Sequence, residues 1–341
     1  MPLVTVGIPV YNAMPHLPES LESILGQSFA DFEILVINDG STDGSSEYLQ
    51  SVRDRRLRVV EQENQGLTAT LNRMLAESNT PWHARHDADD VAYPHRMART
   101  IEYIQKYPDA GMFYSLADYY PHGSVGQFRT TKGSPSDILQ LVRSGRLPAI
   151  CHPTVTLNVD KTVSAGGYRF NLHVEDIDLW WRLALLADVR LVPEVTMGVR
   201  QNHKSVSSAN LESQAINTLY IQYLLLSHLW NHTPLPYEQA RVVLRSLFNP
   251  EKLDFKAHIR SFNIALGQRK HSTALWELGR ASFASPIDIF RRVLDELVKD
   301  RMIAQGELPQ GFSRLANVLW PSPLTPADSA ADPRNGCYEN S

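Results

Sequence analysis

The hydrophobic positions of residues 1–120 follow two alternating rhythms. Short β-branched or aromatic runs fall at Leu3–Val10, Phe32–Ile37, Leu57–Glu61, Trp82–Arg85 and Gly111–Ala117. Between them, Leu17–Gln27, Ser45–Val52, Leu67–Ser78 and Pro94–Tyr107 space their apolar residues as helices do. Strand and helix in alternation predict βαβ units, hence an α/β fold with a Rossmann-like, mostly parallel sheet flanked by helices. Ser41-Thr42-Asp43 offers a helix start after the second strand, and Pro94 suits a first helical residue. Ligands of such sheets lie at the carboxyl ends of strands, where the polar clusters of this stretch fall.

From Ser134 the rhythm loosens. Pro135–Ser144 and Asp176–Leu186 read as helices, and Ala149–Asn158 and Val189–Val195 as strands, followed by a polar stretch, Arg200–Ser208. Beyond Asn210 helix follows helix, over about Ser213–Trp230, Tyr237–Phe248, Phe255–Leu266, Ser272–Phe283 and Pro286–Ala304. The expected organisation is a catalytic unit over residues 1–209, a helical C-terminal extension over 210–320 and a disordered tail rich in Pro, Ala, Asp and Ser over 321–341.

Composition narrows the class. Of 341 residues 43% are hydrophobic and 21% charged, enough for a sizeable core, and the net charge of −4 argues against nucleic acid as a partner. The two cysteines, Cys151 and Cys337, stand too far apart for a metal-ligand spacing and read as ordinary thiols of a reducing compartment. The first residues lack the basic, apolar and small-residue pattern of a signal peptide. The most apolar stretch, Leu219–Trp230, is too short to span a membrane and is broken by Gln222, Ser227 and His228. The expected address is cytoplasmic, with peripheral contact at the inner face of the membrane, although the mixed charges of Pro286–Ala304 weaken an anionic-lipid anchor.

Four polar clusters carry candidate chemistry. Pro9-Val10-Tyr11-Asn12 closes the first strand, and Asn38-Asp39-Gly40-Ser41-Thr42-Asp43 closes the second; together they suit a planar base and a ribose, with Asp39 accepting from a base N–H or a sugar hydroxyl. The second cluster also reads simply as a tight turn and a helix cap. His86-Asp87-Ala88-Asp89-Asp90 follows the fourth strand, and acids this dense repel unless a cation separates them. Mg²⁺ or Mn²⁺ prefers such oxygen ligands and bridges them to a diphosphate, whereas Asp90 alone suits the start of the next helix. Glu175-Asp176-Ile177-Asp178-Leu179-Trp180-Trp181 opens a helix with acids beside two indoles, a combination that suits a sugar. Asp176 is the candidate base for the attacking hydroxyl and Trp180 the candidate acceptor platform, while at least one of the two indoles belongs to the core.

Taken in order, these segments resemble the family 2 glycosyltransferases, which are inverting enzymes of the GT-A fold. The matching pieces are Val6–Asn12, Glu33–Asp43, Asn64–Asn72, Ala84–Asp90, His152-Pro153-Thr154, Gly166–Arg169 and Glu175–Trp180, across roughly residues 3–208 of 341. The resemblance implies a nucleotide-sugar-binding half over residues 1–120 and an acceptor and catalytic half over 121–209. It places Pro9, Tyr11, Asn12 and Asp39 at the nucleoside, usually uridine, with Asn64 and Gly66 closing over the donor and Asp87 and Ala88 beside it. Asp89 becomes a metal ligand, joined by His203, and Asp176 with its neighbour Glu175 becomes the catalytic pair. A lone loop histidine such as His203 is otherwise merely solvated, and His86 replaces the apolar residue common before the Asp-x-Asp motif.

The implied partners are a nucleotide-sugar donor and a glycan or lipid-linked acceptor, in the building of a surface polysaccharide or lipopolysaccharide. Two other readings remain open. A sugar-phosphate nucleotidyltransferase shares the layout, but no Gly-rich, basic loop follows the first strand to hold a triphosphate. A non-catalytic nucleotide-sugar-binding or scaffolding module would have no chemical need for Asp39, Asp87, Asp89, Glu175 and Asp176.

Overall fold

The computed structural model describes residues 2–121, 127–200, 211–247, 250–267, 270–289, 304–305 and 316–320. Its first half is the alternation that the sequence predicts: β1 (Val4–Val10), α1 (Leu17–Leu25), β2 (Glu33–Asp39), α2 (Ser45–Ser51), β3 (Leu57–Gln62), α3 (Leu67–Glu77) and β4 (Trp82–Arg85). Then come β5 (Val91–Ala92), α4 (Arg96–Lys106), β6 (Met112–Tyr120), α5 (Pro135–Arg143), β7 (Leu147–Pro148), β8 (Thr156–Asn158), α6 (Val159–Ser164), α7 (Glu175–Leu186) and β9 (Val189–Arg200). The main sheet has the order β3-β2-β1-β4-β8-β6-β9-β5. β1 to β4 run parallel, β8 is antiparallel to both β4 and β6, β9 is parallel to β6, and β5 is antiparallel to β9.

β2 and β3 extend to one side of β1 and β4 lies on the other, so the strand order reverses between β1 and β4. At such a reversal the connections leave in opposite directions and open a crevice at the carboxyl ends of the strands. Burial explains why these strands form. Val4, Val6, Ile8 and Val10 alternate onto one face and pack with Leu17, Leu21 and Ile24 of α1, while Leu35 and Ile37 face Met74 of α3 on the other. β1 and β4 approach closely at Gly7, where a Cβ would lie 2.2 Å from the His83 ring.

The later helices, α8 (Leu211–Leu229), α9 (Tyr237–Arg245), α10 (Pro250–Gly267) and α11 (His271–Ala284), include two that share a core with α7. Leu179, Trp180 and Leu183 of α7 lie in one cluster with Ile221, Tyr223 and Leu225 of α8, Leu244 of α9 and Trp320. β10 (Ala304–Gln305) pairs antiparallel with β7. A short helix, α12 (Ala316–Leu319), precedes Trp320.

Some expectations need correction. The predicted strand Ala149–Asn158 is a 3-10 turn at His152–Thr154 followed by β8, because Pro153 lacks an N–H for a ladder and fixes its φ. α4 begins at Arg96, so Asp90 does not cap it. α2 follows Gly44 in a left-handed conformation, with Asp43 accepting from the Ser45 amide. Ala304 is strand, not the end of a helix begun at Pro286, and the tail 321–341 lies outside the described residues.

Candidate functional site

The carboxyl ends of β1, β2 and β4 converge at the crevice. Asn12 adopts a positive φ of 49° after β1, and its side-chain oxygen accepts from the Thr42 amide at 2.7 Å. Its own amide donates to Ser41 Oγ at 2.9 Å, so the two strand ends are stitched together. Tyr11 stands free beside them at 56% exposure, and Pro9 is half-buried in the strand.

Asp39 is buried and organises the next loop. Its Oδ1 accepts from Gln62 Nε2 at 2.6 Å and from the Gln65 amide at 2.8 Å, and its Oδ2 accepts from the Gly66 amide at 3.0 Å. A carboxylate offers about four acceptor positions, so Oδ2 keeps one for a ligand. The close meeting of loops depends on Gly40, whose φ is 75° and where a Cβ would sit 2.9 Å from the Asn64 amide nitrogen. Gly66, with φ 83° and ψ 162°, enters α3 in a conformation open essentially to glycine alone. Asn64 Oδ1 accepts from the same Gly66 amide at 3.2 Å. α3 is tied in turn to the 166–171 loop by Asn72, which donates to the Tyr168 carbonyl and accepts from its amide.

The Asp-x-Asp segment hangs from β4. Asp87 Oδ1 accepts from Arg85 Nη2, and its Oδ2 has no partner among the described residues. Ala88 packs into the core beneath. Asp89 receives no hydrogen bond from another side chain among the described residues; burial first, then the charge of Asp87, raises its carboxyl to about 6. Asp90 is buried and accepts from the Arg200 amide at 2.8 Å, and burial pushes it well above the usual carboxylate range. Its sequence reading as a helix start is therefore replaced by a tie between β4 and β9. Arg200 also donates to the Asp89 carbonyl at 2.8 Å and pairs with Glu19 at 2.5 Å.

The helix α7 brings the remaining acids. Glu175 is 5% exposed, and burial, then the neighbouring charge of Asp176, pushes it up to about 8. Asp176 is raised to about 6, chiefly by burial, with the charge of Asp87 adding to it. No side chain among the described residues donates a hydrogen bond to either carboxylate of the pair. Asp178 behaves differently: fully buried, it is gripped by Arg169 and Arg182 and serves the fold.

Trp180 is a correction. It is 0% exposed, packed in the core and edge-on to His152 at 5.6 Å between ring centroids, so it offers no face to an acceptor. Trp181 is also buried, which makes both indoles core residues. An i, i+3, i+4 apolar stripe on α7 already includes these positions once Leu183 and Ala184 are aligned with them. His203, expected to complete the metal site, lies outside the described residues.

Among the described residues no group of three or more His, Cys, Asp or Glu side chains forms a ready metal cluster. The donor set nevertheless suits a hard divalent cation: Asp89 presents an oxygen ligand with no competing side-chain donor, and its proton affinity is raised by a neighbouring negative charge that a cation would offset.

Sequence reasoning missed Arg85, Arg200 and Gln62. Arg85 alone left a signal, a cation in a four-residue strand whose other positions are apolar or aromatic. The other two acquire their partners only through folding.

Comparison with known proteins places this geometry. AmsE, an amylovoran biosynthesis glycosyltransferase of Erwinia amylovora, is 29% identical over 215 residues, covering 60% of this chain and 79% of that protein. The glycosyltransferase EpsE of Bacillus subtilis is 28% identical over 188 residues, covering 53% of this chain and 66% of its own length. A glycosyltransferase of Haemophilus influenzae is 37% identical over 108 residues, and the chain spans only 33% of it. Among solved structures, S. aureus TarS 1-349 in complex with UDP-GlcNAc superposes with a TM-score of 0.54 at 15% identity, over 83% of this chain and 91% of that one. The mannosyltransferase PcManGT of Pyrobaculum calidifontis, in complex with GDP-Man and Mn²⁺, gives 0.51 at 17% identity, over 86% of this chain and 80% of that one. These likenesses carry the fold, the GT-A-type arrangement of a curled sheet between helices. Residues 5–158, a little under half of the chain, match Glycosyl transferase family 2.

Proposed function

We propose that this protein transfers a sugar, with inversion, from a nucleoside-diphosphate sugar, UDP-linked in the first instance, to a hydroxyl of a glycan or lipid-linked acceptor. The observation that carries this reading is the Glu175–Asp176 pair: a buried and a half-buried carboxylate with no side-chain partner among the described residues, both raised further by the charge of Asp87, at the crevice where β1 and β4 diverge. Such groups cost folding free energy and persist where chemistry uses them.

In this reading Tyr11 and Pro9 flank the base, Asp39 Oδ2 accepts its N–H, and Asn12, Asn64 and Gly66 shape the loops around the nucleoside. Asp87 and Ala88 border the ribose and the diphosphate. Asp89, with His203 from the 201–210 segment, would hold Mn²⁺ or Mg²⁺; a bound divalent ion supplies charge neutralisation for the leaving diphosphate. Asp176 takes the proton of the acceptor hydroxyl as the oxygen bonds to the anomeric carbon. The bond to the nucleoside diphosphate breaks on the opposite face. Glu175 is raised by burial and by the charge of Asp176, so the two acids do not ionise together as free carboxyls would.

Residues 1–209 form the catalytic unit in this account and 210–320 its helical extension. AmsE is an amylovoran biosynthesis glycosyltransferase, and its likeness supports a polysaccharide product here. None of the helices among the described residues is long and apolar enough to cross a membrane. Leu275, Trp276 and Phe283 are exposed on α11, with Ile287 exposed just beyond it, and they support a peripheral contact with the lipid surface that carries an acceptor.

Calorimetric titration with UDP and with GDP tests the reading, with Mn²⁺ present and with the metal chelated. Metal-dependent binding of one nucleotide, lost in Asp89→Ala, is the expected result. Failure of both nucleotides to bind under either condition would sink it and bring forward the scaffolding module.

A further inference from the structure

Behind the acidic crevice lies a buried cation that the mechanism above does not use. Arg85 is 2% exposed, and its backbone is locked in place: its amide donates to the Val155 carbonyl at 2.9 Å, and it stands level with Gly7 in the β1–β4 register. Its guanidinium bonds go to His86 and Asp87, at the start of the acidic segment. Nη1 donates to the His86 carbonyl and Nη2 to Asp87 Oδ1, while Nε has no partner among the described residues. A second buried arginine, Arg96, closes the strand from behind by donating to the carbonyls of Arg85 and Pro153.

This arrangement is costly for a purely structural purpose. Burying a guanidinium demands a fully satisfied site, yet one N–H of Arg85 goes unused, and the imidazoles of His83, His86 and His152 around it are kept neutral by burial and by these same cations. What the arrangement achieves is orientation. Oδ1 is held by Arg85, and Oδ2, without a partner among the described residues, is the oxygen left for a ligand. A charge-assisted bond of this kind fixes direction as well as position.

Resting on the nucleotide-sugar reading, we propose that Arg85 is a positioning residue for the donor: it aims Asp87 Oδ2 at a ribose hydroxyl of the bound nucleotide. The guanidinium touches no substrate and acts through Asp87. Discrimination between a ribonucleotide and its deoxy counterpart is therefore a property of the Arg85–Asp87 pair.

The test uses the full chain with Mn²⁺ and measures binding of UDP and GDP, together with the 2′-deoxy and 3′-deoxy forms of whichever binds. The wild-type protein should prefer the ribonucleotide over one of its deoxy forms by about tenfold or more, the worth of a hydrogen bond to a charged group. In Arg85→Met that ratio should collapse to within about twofold of unity, while affinity for the ribonucleotide falls by a similar tenfold. A general loosening of the fold would weaken all the nucleotides together and leave the ratio intact; a retained ratio overturns the inference. If Arg85→Met does not fold, Arg85→Lys takes its place, since lysine keeps the charge without the fork. A wild-type ratio in a folded Arg85→Lys likewise overturns the inference, as does equal affinity of the wild type for ribo and deoxy forms. Absence of any nucleotide binding to the wild type overturns the transferase reading itself and this inference with it.

Discussion

Asp176 and Glu175 show how neighbouring acids acquire different characters. Both are raised by burial, and the charge of its neighbour lifts Glu175 further, so the pair holds on to a proton at higher pH than separate carboxyls would. A base must lose its proton before it works, so transfer should rise with pH through about 6, where Asp176 titrates, and not near 4, where an unperturbed aspartate would. A pH profile of kcat for transfer checks this. If Asp176 is the base proposed above, Asp176→Asn should abolish transfer while nucleotide affinity measured by calorimetry stays within about threefold. Glu175 makes a separate prediction about stability. Its unfolded value is about 4.3, so below that pH both states carry the proton and nothing is lost. As pH rises toward about 8 the unfolded chain releases the proton and the folded chain keeps it, so stability falls. Glu175→Gln should therefore leave Tm unchanged near pH 4 and raise it increasingly toward pH 8.

The strands and helices are legible in the sequence wherever their own periodicity decides them. β4 is found where its pattern predicts, and α1, α2 and α3 start at the predicted residues, because each buries one stripe or face fixed by local order. The loops between them are less transparent. Asn38–Asp43 reads equally as a turn and as a binding element, and the structure gives it both parts: Ser41 and Asp43 tie the loop to residues 12–14, while Asp39 shapes the 62–66 loop. Gly40 is the hinge of this meeting. Gly40→Ala would impose a positive φ on a residue with a Cβ and drive it against the Asn64 backbone. The expected cost is about 1–3 kcal/mol of stability by denaturant unfolding, with weaker nucleotide binding measured alongside.

At the level of the whole molecule, α8 and α9 are not an appendage. Leu179, Trp180 and Leu183 of α7 share one buried cluster with Ile221, Tyr223 and Leu225 of α8, so the helix that carries Glu175 and Asp176 is supported from outside residues 1–209. A truncated chain ending at residue 209 would expose this apolar surface and should aggregate or melt well below the full protein in calorimetry. Leu225→Ala should cost about 2–5 kcal/mol and should lower the melting of the whole protein in one transition. The apolar residues left exposed on α11 make a different kind of prediction. Flotation with acidic-phospholipid vesicles should recover the wild type and lose a Trp276→Ser, Phe283→Ser double variant, with nucleotide binding unchanged in both.

The sequence by itself determined the alternation of strands and helices, the strand ends where the acids gather and the residue types needed to meet a base, a diphosphate and a hydroxyl. Those are local properties, set by the periodicity of side chains along a strand or helix and by the few residues next to a turn. Tertiary structure alone decided which acids serve the fold and which face the crevice. Asp178 pairs with Arg169 and Arg182, Asp90 receives the Arg200 amide, and Asp87 is held by Arg85 through one oxygen, the other having no partner among the described residues. It also decided that Trp180 belongs to the core, since that depends on α8 and the C-terminal Trp320 packing into the same cluster. The physical reason is the same in each case. Burial and the charge of neighbours fix a carboxylate's role, and both are sums over groups brought together from distant parts of the chain.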